Sequence, residues 1–454
     1  MKIMKKNVNI FPCFVIIFVL VFGMLPEVSR AEVEIQKKTL SKGSQWIEKH
    51  PFQICAIQEG PADLTLYKKV GFTSTSCLNR DPNTREKMIA QSVEAGLNWQ
   101  VFVGNVGDYN TVSLPRIMTD LIAKYPGCMA WSIGDESPVE SYPSLRKLHD
   151  AVKEKVSDVP IMCALQGMEF TGEFQSSLTA YPDYVDNAIK MIPCDILMYD
   201  LYPFYRGGTS IHFYQNMSII RDKALKAGLP YWSWLQSHGM NPPYSFQEPS
   251  ASELRLQAFA SLAYGFSGLA YWTYDSNYEP YSKVVIDIGG KPTHIYESLQ
   301  MFVPELVNIG QSIKFPTSTA VYYQPGRIKV NNQWLYPQPL GTIRWTPENG
   351  HHIKNIKLSD DVNGFLLSFF KDSYDQDYMM IVNTNHGNGK DECETAGAIT
   401  IEFDFPQHKL TRLNRKLGVV EDIPLCENTL NHYVLPGGTG DLFKVSGTNG
   451  FAGY

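Results

Sequence analysis

Two carboxylates stand side by side, Asp135 and Glu136, in "CMAWSIGDESP" (128–138), directly after a run of apolar and small residues. A third, Asp200, closes a second apolar run, "CDILMYD" (194–200). Facing carboxyls whose pKa values are driven apart can perform acid and base chemistry on a bond held between them. The same segments are rich in rings: Trp131, Tyr199, Tyr202 and Tyr205, then Trp232, Trp234, Trp272 and Tyr274. Flat rings beside polar groups suit pyranoses, which have apolar C–H faces and hydroxyl edges. An acidic pair closed by Ser137-Pro138 also fits an ordinary solvated turn. The sharper expectation is a strand that ends by aiming a carboxylate into a cleft.

Both acidic runs belong to a rhythm that must position them. Between residues 52 and 313 a short apolar run, a polar tip and an amphipathic stretch recur about every thirty residues. The runs are "FQICAIQEG", "GFTSTSCLNR", "GLNWQVFVGN", "CMAWSIGDE", "VPIMCALQG", "CDILMYDLYPF", "LPYWSWLQSHG" and "GLAYWTYDS". Stretches such as 145–156 and 219–228 have helical spacing, the second stopped by Gly228, and Pro304 must start or kink the last helix. Strands buried on both faces and alternating with helices form a parallel sheet. Eight such units over about 250 residues predict an α/β fold, a closed (β/α)8 TIM barrel at 32–314. An open doubly wound sheet lacks its GxGxxG turn after the first strand. From 315 to 454 short runs separated by Gly, Asn and Pro turns predict a small all-β, sandwich-like domain.

Chemistry in a barrel sits at the C-terminal strand ends. Those tips are Gln58-Glu59, Asn79-Arg80-Asp81, Asn105, Asp135-Glu136, Gln166, Asp200 with Tyr202, Gln236 with His238, and Tyr274-Asp275. Glu136 and Asp200 are the catalytic candidates. Asp135, Trp131, Asn79, Arg80, Tyr202, Gln236, His238, Trp272 and Asp275 are the candidates for substrate binding. Glu253 reads as a first-turn helix carboxylate capped from Ser250 or Ser252. Glu169 and Glu279 read as solvated loop residues, and "NMS" at 216–218 matches a glycosylation acceptor.

Composition narrows the partners. A net charge of -6, spread thinly, gives neither a basic patch for nucleic acid nor a surface for anionic membranes. Lys2, Lys5 and Lys6, an apolar run and small residues at Ser29 and Ala31 read as a secretory signal over 1–31, hence export and no membrane contact after cleavage. Seven of the eight cysteines follow that segment, without CxxC or Cys/His spacing for zinc. No metal and no cofactor is expected, and Cys393 with Cys426 could form one disulfide.

"AWSIGDESP", "CDILMYDLYPF", "YWSWLQSHG" and "GFSGLAYWTY" resemble strand ends of secreted glycoside-hydrolase-type barrels, which also carry a β domain after the barrel. The resemblance implies hydrolysis of a glycosidic bond in a poly- or oligosaccharide. In the large retaining clan of this architecture, strand 4 ends in Asn-Glu, the Glu being acid/base, and strand 7 ends in a nucleophilic Glu. Glu136 matches the first position, with Asp135 in place of Asn; strand 7 ends in Gln236. Three readings follow: Asp200 supplies the second carboxylate as nucleophile, a base there activates water for inversion, or the protein binds sugar without cleaving it.

Overall fold

The computed structural model describes residues 40–103, 110–168, 180–243, 245–276, 281–330, 332–404 and 408–454. The expected signal segment, Asn105, Glu169 and Glu279 lie outside the described residues. All eight expected runs are strands: β1 Gln53–Gln58, β2 Ser74–Cys77, β3 Asn98–Phe102, β4 Cys128–Asp135, β5 Ile161–Leu165, β6 Ile196–Asp200, β7 Tyr231–Gln236 and β8 Gly268–Trp272. They close in sequence order into a barrel, every pairing parallel, with β1 joining β8.

Alternation along each strand sorts side chains into two layers. Cys55, Met162, Met198, Trp232 and Trp234 fill the interior with Phe102 and Ala270. Ile54, Trp131, Leu165 and Tyr199 face the helices. At Gly268 the indole of Trp232 lies where a Cβ would stand, 2.5 Å from the ring, so the bulkiest interior ring is seated against a residue with no side chain.

Helices follow the expected stretches, as at Tyr142–Lys155 and Phe213–Ala227, the latter ended by Gly228 in the left-handed conformation that glycine adopts most readily. Pro304 neither starts a helix nor interrupts His294–Ile313; it sits within that continuous helix. Ser250 and Glu253 form a reciprocal capping box on helix Ala251–Tyr264, the structural role expected of Glu253.

Beyond the barrel come β9 Thr317–Pro325, β10 Ile353–Leu358, β11 Gly364–Lys371, β12 Asp377–Asn383, β13 Gly397–Phe403, β14 Lys409–Asn414, β15 Val419–Pro424, β16 Thr429–Leu435 and β17 Gly440–Lys444. They form a six-stranded sheet, β9-β11-β12-β17-β14-β15, and a three-stranded sheet, β10-β13-β16. The larger sheet is buried on both faces: Phe365, Leu367 and Phe369 pack with the smaller sheet, while Leu366 and Phe370 join the helix layer of the barrel.

A buried ion network ties the two layers. Glu305 Oε2 accepts from Arg255 Nη1 and from Arg415 Nε, each at 3.0 Å, and Arg415 Nη1 donates to Asp441 Oδ1 at 2.5 Å. Removing one member of such a network strands its partners in a dry environment. Glu305→Ala is therefore expected to lower stability by about 3–5 kcal/mol. Glu86→Ala, which breaks an exposed pair with Lys124, should change it by less than about 1 kcal/mol. Thermal unfolding of the two variants measures both.

Candidate active site

The end of β4 departs from regular strand geometry, and that departure builds the site. Ser132 is opposite Met162 on β5 and Asp135 is opposite Ala164, so three steps on β4 match two on β5. The extra residue is a bulge, which shifts the phase of the alternation. Met162 and Ala164 are interior residues, so Asp135 also turns inward. Glu136 then takes φ +40, left-handed backbone that a glutamate rarely adopts. Neighbouring strand residues normally point to opposite faces; here both carboxyls reach one mouth.

Asp200 meets them there. It ends β6 in phase with the interior residues Ile196 and Met198, and it is only 6% exposed. Its carboxyl is within hydrogen-bonding reach of Glu136 and feels the charges of Glu136 and Asp135. Burial first, then these neighbours, hold its pKa well above the ordinary carboxylate range. Burial and the neighbouring Glu136 charge push Asp135 up to about 7. The Tyr202 hydroxyl is raised by burial and by the charges of Asp200, Glu136, Tyr281 and Asp135.

Rings close the mouth. Trp272 packs against the interior cluster beside Phe102 and Trp234, with centroids 6.0 Å from each, and its Nε1 donates to Tyr281 Oη at 2.6 Å. His238 stands edge-on to Tyr202 and Tyr281, at 4.8 and 5.3 Å. Its Nδ1 is 2.7 Å from the Trp272 carbonyl, which can only accept, so Nδ1 carries the hydrogen. Burial lowers the ring's pKa to about 4, leaving a neutral imidazole with a bare Nε2.

Four buried polar atoms in this region lack partners among the described residues: Asp200 Oδ1, Gln166 Oε1, His238 Nε2 and Trp234 Nε1. Gln166 directly follows β5, in the inward phase of Met162 and Ala164, as Asp200 follows Tyr199, the register partner of Leu165. Gln166 Oε1 and His238 Nε2 can only accept, and Trp234 Nε1 can only donate. Buried polar groups are satisfied in all but a few cases, so this mouth suits a ligand with both donors and acceptors, such as hydroxyl groups. Among the described residues no group of three or more His, Cys, Asp or Glu is arranged to hold a metal ion.

The expected site thus divides. Glu136, Asp200, Asp135, Tyr202, His238 and Trp272 come together. Trp131 does not: it faces the helix layer, fully buried and edge-on to Trp99 at 6.4 Å, because its strand phase points outward. Tyr199 and Tyr274 face outward too, Tyr274 against Tyr67. Asn79 is a turn residue whose Nδ2 donates to the Glu59 carbonyl at 2.7 Å, and Arg80 is exposed. Asp275 binds the Glu59 backbone N–H at 3.0 Å, in a second acidic pair at the β1 and β8 ends, and burial raises it to about 6. Gln166 and Tyr281 are the groups that sequence reasoning underrated.

Gln236 is corrected from a substrate contact to a clamp. Its Nε2 donates to the carbonyls of Phe204, His238 and Gln247 at 3.0–3.1 Å, and its Oε1 accepts from Phe204 N at 2.9 Å. Its own backbone is bracketed by the Gln257 amide. Every polar atom is spent on holding the loop after β7. Asp200 stands in the same mouth as Glu136, where a carboxyl separation of about 5 Å would suit a nucleophile and roughly 6.5–9.5 Å a base that activates water. Cys393 and Cys426 are both free thiols.

No protein-family model matches the chain, and no curated protein matches it in sequence. A solved structure named only as a glycoside hydrolase superposes with a TM-score of 0.53 at 11% identity, over 88% of this chain and 94% of that one. An alpha-L-arabinofuranosidase from Thermotoga maritima gives 0.49 at 10% identity, over 88% and 97%. A beta-galactosidase from Marinomonas ef1 gives 0.43 at 10% identity, over 59% of this chain and 62% of the other. The first of these shares the whole architecture, barrel and β domain together.

Two outcomes test this geometry. Gln236→Glu would aim an acceptor-only group at three carbonyls; it is expected to lose about 2–4 kcal/mol in thermal unfolding and to gain no nucleophile. Asp135 is raised from 3.8 to about 7, so between those values the folded chain holds a proton the unfolded chain has released. Stability therefore falls as pH rises through that window. Asp135→Asn should be more stable than the parent by about 1–3 kcal/mol at pH 8 and nearly equal to it at pH 4, as read from denaturant unfolding at both values.

Proposed function

We propose that this protein is a glycoside hydrolase, exported from the cell, in which Glu136 is the general acid that protonates the leaving oxygen of a glycosidic bond. The observation that carries the reading is the mouth itself: three carboxyls, two of them with raised pKa values, beside Trp272 and Tyr202. A sugar ring presents C–H faces to the rings and hydroxyl donors to Gln166 Oε1 and His238 Nε2. Asp200 and Asp135 stand beside Glu136, so the three carboxyls titrate as a group, and Glu136 is the member that passes a proton to the leaving oxygen. The neutral His238 adds no charge and serves as an acceptor. The likeness to a glycoside hydrolase of the same architecture agrees with this reading, but the fold alone would host many chemistries.

A binding protein that leaves the bond intact is the second reading, favoured by the complete engagement of Gln236 where a retaining enzyme would carry a carboxylate. Incubating the protein with a panel of oligosaccharides and aryl glycosides separates the two. Released reducing ends or aryl alcohol, falling about 10²–10⁴-fold in Glu136→Gln, is the expected result. Undiminished turnover in that variant removes Glu136 as the acid. Calorimetric binding with no product from any glycan leaves the binding reading in place.

A further inference from the structure

Three neighbouring barrel strands each end in a buried hydrogen-bond acceptor that has no partner among the described residues. Asp200 Oδ1 closes β6, Gln166 Oε1 stands one residue past β5, and His238 Nε2 stands two residues past β7. Strand β6 pairs with β5 on one side and with β7 on the other, so the three lie along one arc of the mouth with Asp200 at its centre. The residues that carry them are only 6, 3 and 1% exposed, in that order. His238 cannot donate from Nε2, because its hydrogen sits on Nδ1 against the Trp272 carbonyl. A carboxyl oxygen, an amide oxygen and a bare ring nitrogen are all satisfied by one kind of group, with several donors and no acceptor of its own. An ammonium is such a group.

Charge points the same way. Among the described residues, the stretches from the end of each barrel strand to the following α-helix hold ten Asp or Glu and four Lys or Arg. Those four, Arg80, Arg206, Lys283 and Lys291, are exposed. The sequence at 104–109, 169–179 and 277–280 adds no Lys or Arg. A mouth lined by one sign of charge attracts a cation and repels a uronate or a sulfate. Trp234 Nε1, also without a partner, is a donor, and the oxygen of a sugar hydroxyl satisfies it.

We infer that the substrate is a glycoside of a 2-amino-2-deoxy sugar whose amine is free, and that its ammonium group sits in the arc formed by Asp200, Gln166 and His238. This rests on the hydrolase reading and deepens it by naming the sugar. Asp135, Ala164 and Met198 are in register across β4, β5 and β6. Glu136 is one residue past that level and Asp200 two, so acid and arc share one side of the mouth. With Glu136 at the glycosidic oxygen, the substituent that meets the arc is the one on the carbon next to the anomeric centre. An ammonium there supplies three N–H donors and a positive charge. A hydroxyl supplies one hydrogen and no charge. An acetamide supplies one N–H, no charge and a carbonyl oxygen that would face acceptors.

The test uses the full chain at about pH 6, where such an amine is protonated, with aryl glycosides of both anomeric configurations. The sugars are glucosamine and galactosamine with free amines, their N-acetyl forms, glucose, galactose and glucuronic acid. The expected result is that an amino glycoside has a kcat/KM at least ~10²-fold above its hydroxyl and N-acetyl counterparts, because a site built for a donor-rich group rejects analogues that leave its buried acceptors unpaired. Gln166→Met removes one of those acceptors at similar volume and is expected to fold, which thermal unfolding checks. It should raise KM for the amino glycoside ~10-fold with little change in kcat, the pattern of a lost binding contact. A glutamine that only packs would leave KM unchanged. Equal or faster cleavage of a hydroxyl, N-acetyl or uronate glycoside overturns this inference and leaves the hydrolase reading standing. So does unchanged KM in folded Gln166→Met. The comparison of substrates on the parent chain holds even where that variant does not fold. Failure to cleave any glycoside, amino glycosides included, overturns the hydrolase reading and this inference with it.

Discussion

Three carboxyls share one apolar mouth, and none of the groups acting on Asp135 or Asp200 among the described residues is a cation. Like charges at such range cannot all ionise in a dry site, so at least one proton is bound at neutral pH. That constraint decides the rest. Burial is most complete at Asp200, so its charged form is the one most disfavoured. Asp135, less enclosed, titrates near neutrality. A site of this kind has acid and base forms available together, which is the requirement for moving a proton to a leaving group and back again.

Crowding of this kind is unfavourable, and the surrounding scaffold must hold it. The barrel interior gives β4, β5 and β6 no freedom to relax, because Met162, Met198 and the two β7 tryptophans fill it. The bulge and the left-handed Glu136 are permitted because β5 remains paired beyond them, with Glu136 N donating to the Ala164 carbonyl at 3.0 Å. On the far side, Gln236 draws the loop after β7 inward, and that loop carries His238 and Phe246 against Tyr202. The β domain adds stiffness from outside through the buried Glu305 network rather than by contributing to the mouth described above.

The barrel was legible because each strand is buried on both faces and reads as an apolar run, a signal that burial itself imposes. In the second domain that signal fades at the edge: β15, "VVEDIP", pairs only with β14 and is exposed or half-exposed along its length. The carboxyl cluster was legible as strand ends, but its members' directions were not. A bulge cannot be read from "SIGDE", and without it the alternation sends Asp135 outward; the same uncertainty of phase made Trp131 look like a mouth residue. Gln236 misled for a different reason. A glutamine at a catalytic strand end has the same composition whether it faces substrate or backbone, and only the positions of the Phe204, His238 and Gln247 carbonyls separate the two.

Those carbonyls also explain why the chemistry stands where it does. Three acceptors converge on the side chain at 236, and only a donor satisfies them. An ionised carboxylate there would face three like dipoles in a buried setting. Once the loop after β7 is closed by an amide, the β7 end offers no carboxyl, and the acidic groups of the mouth among the described residues come from β4 and β6. Two adjacent residues on one strand can serve only if the alternation is broken between them. The bulge at the end of β4 and the positive φ of Glu136 do that, so the clamp on one side of the barrel and the distortion on the other are two parts of a single arrangement.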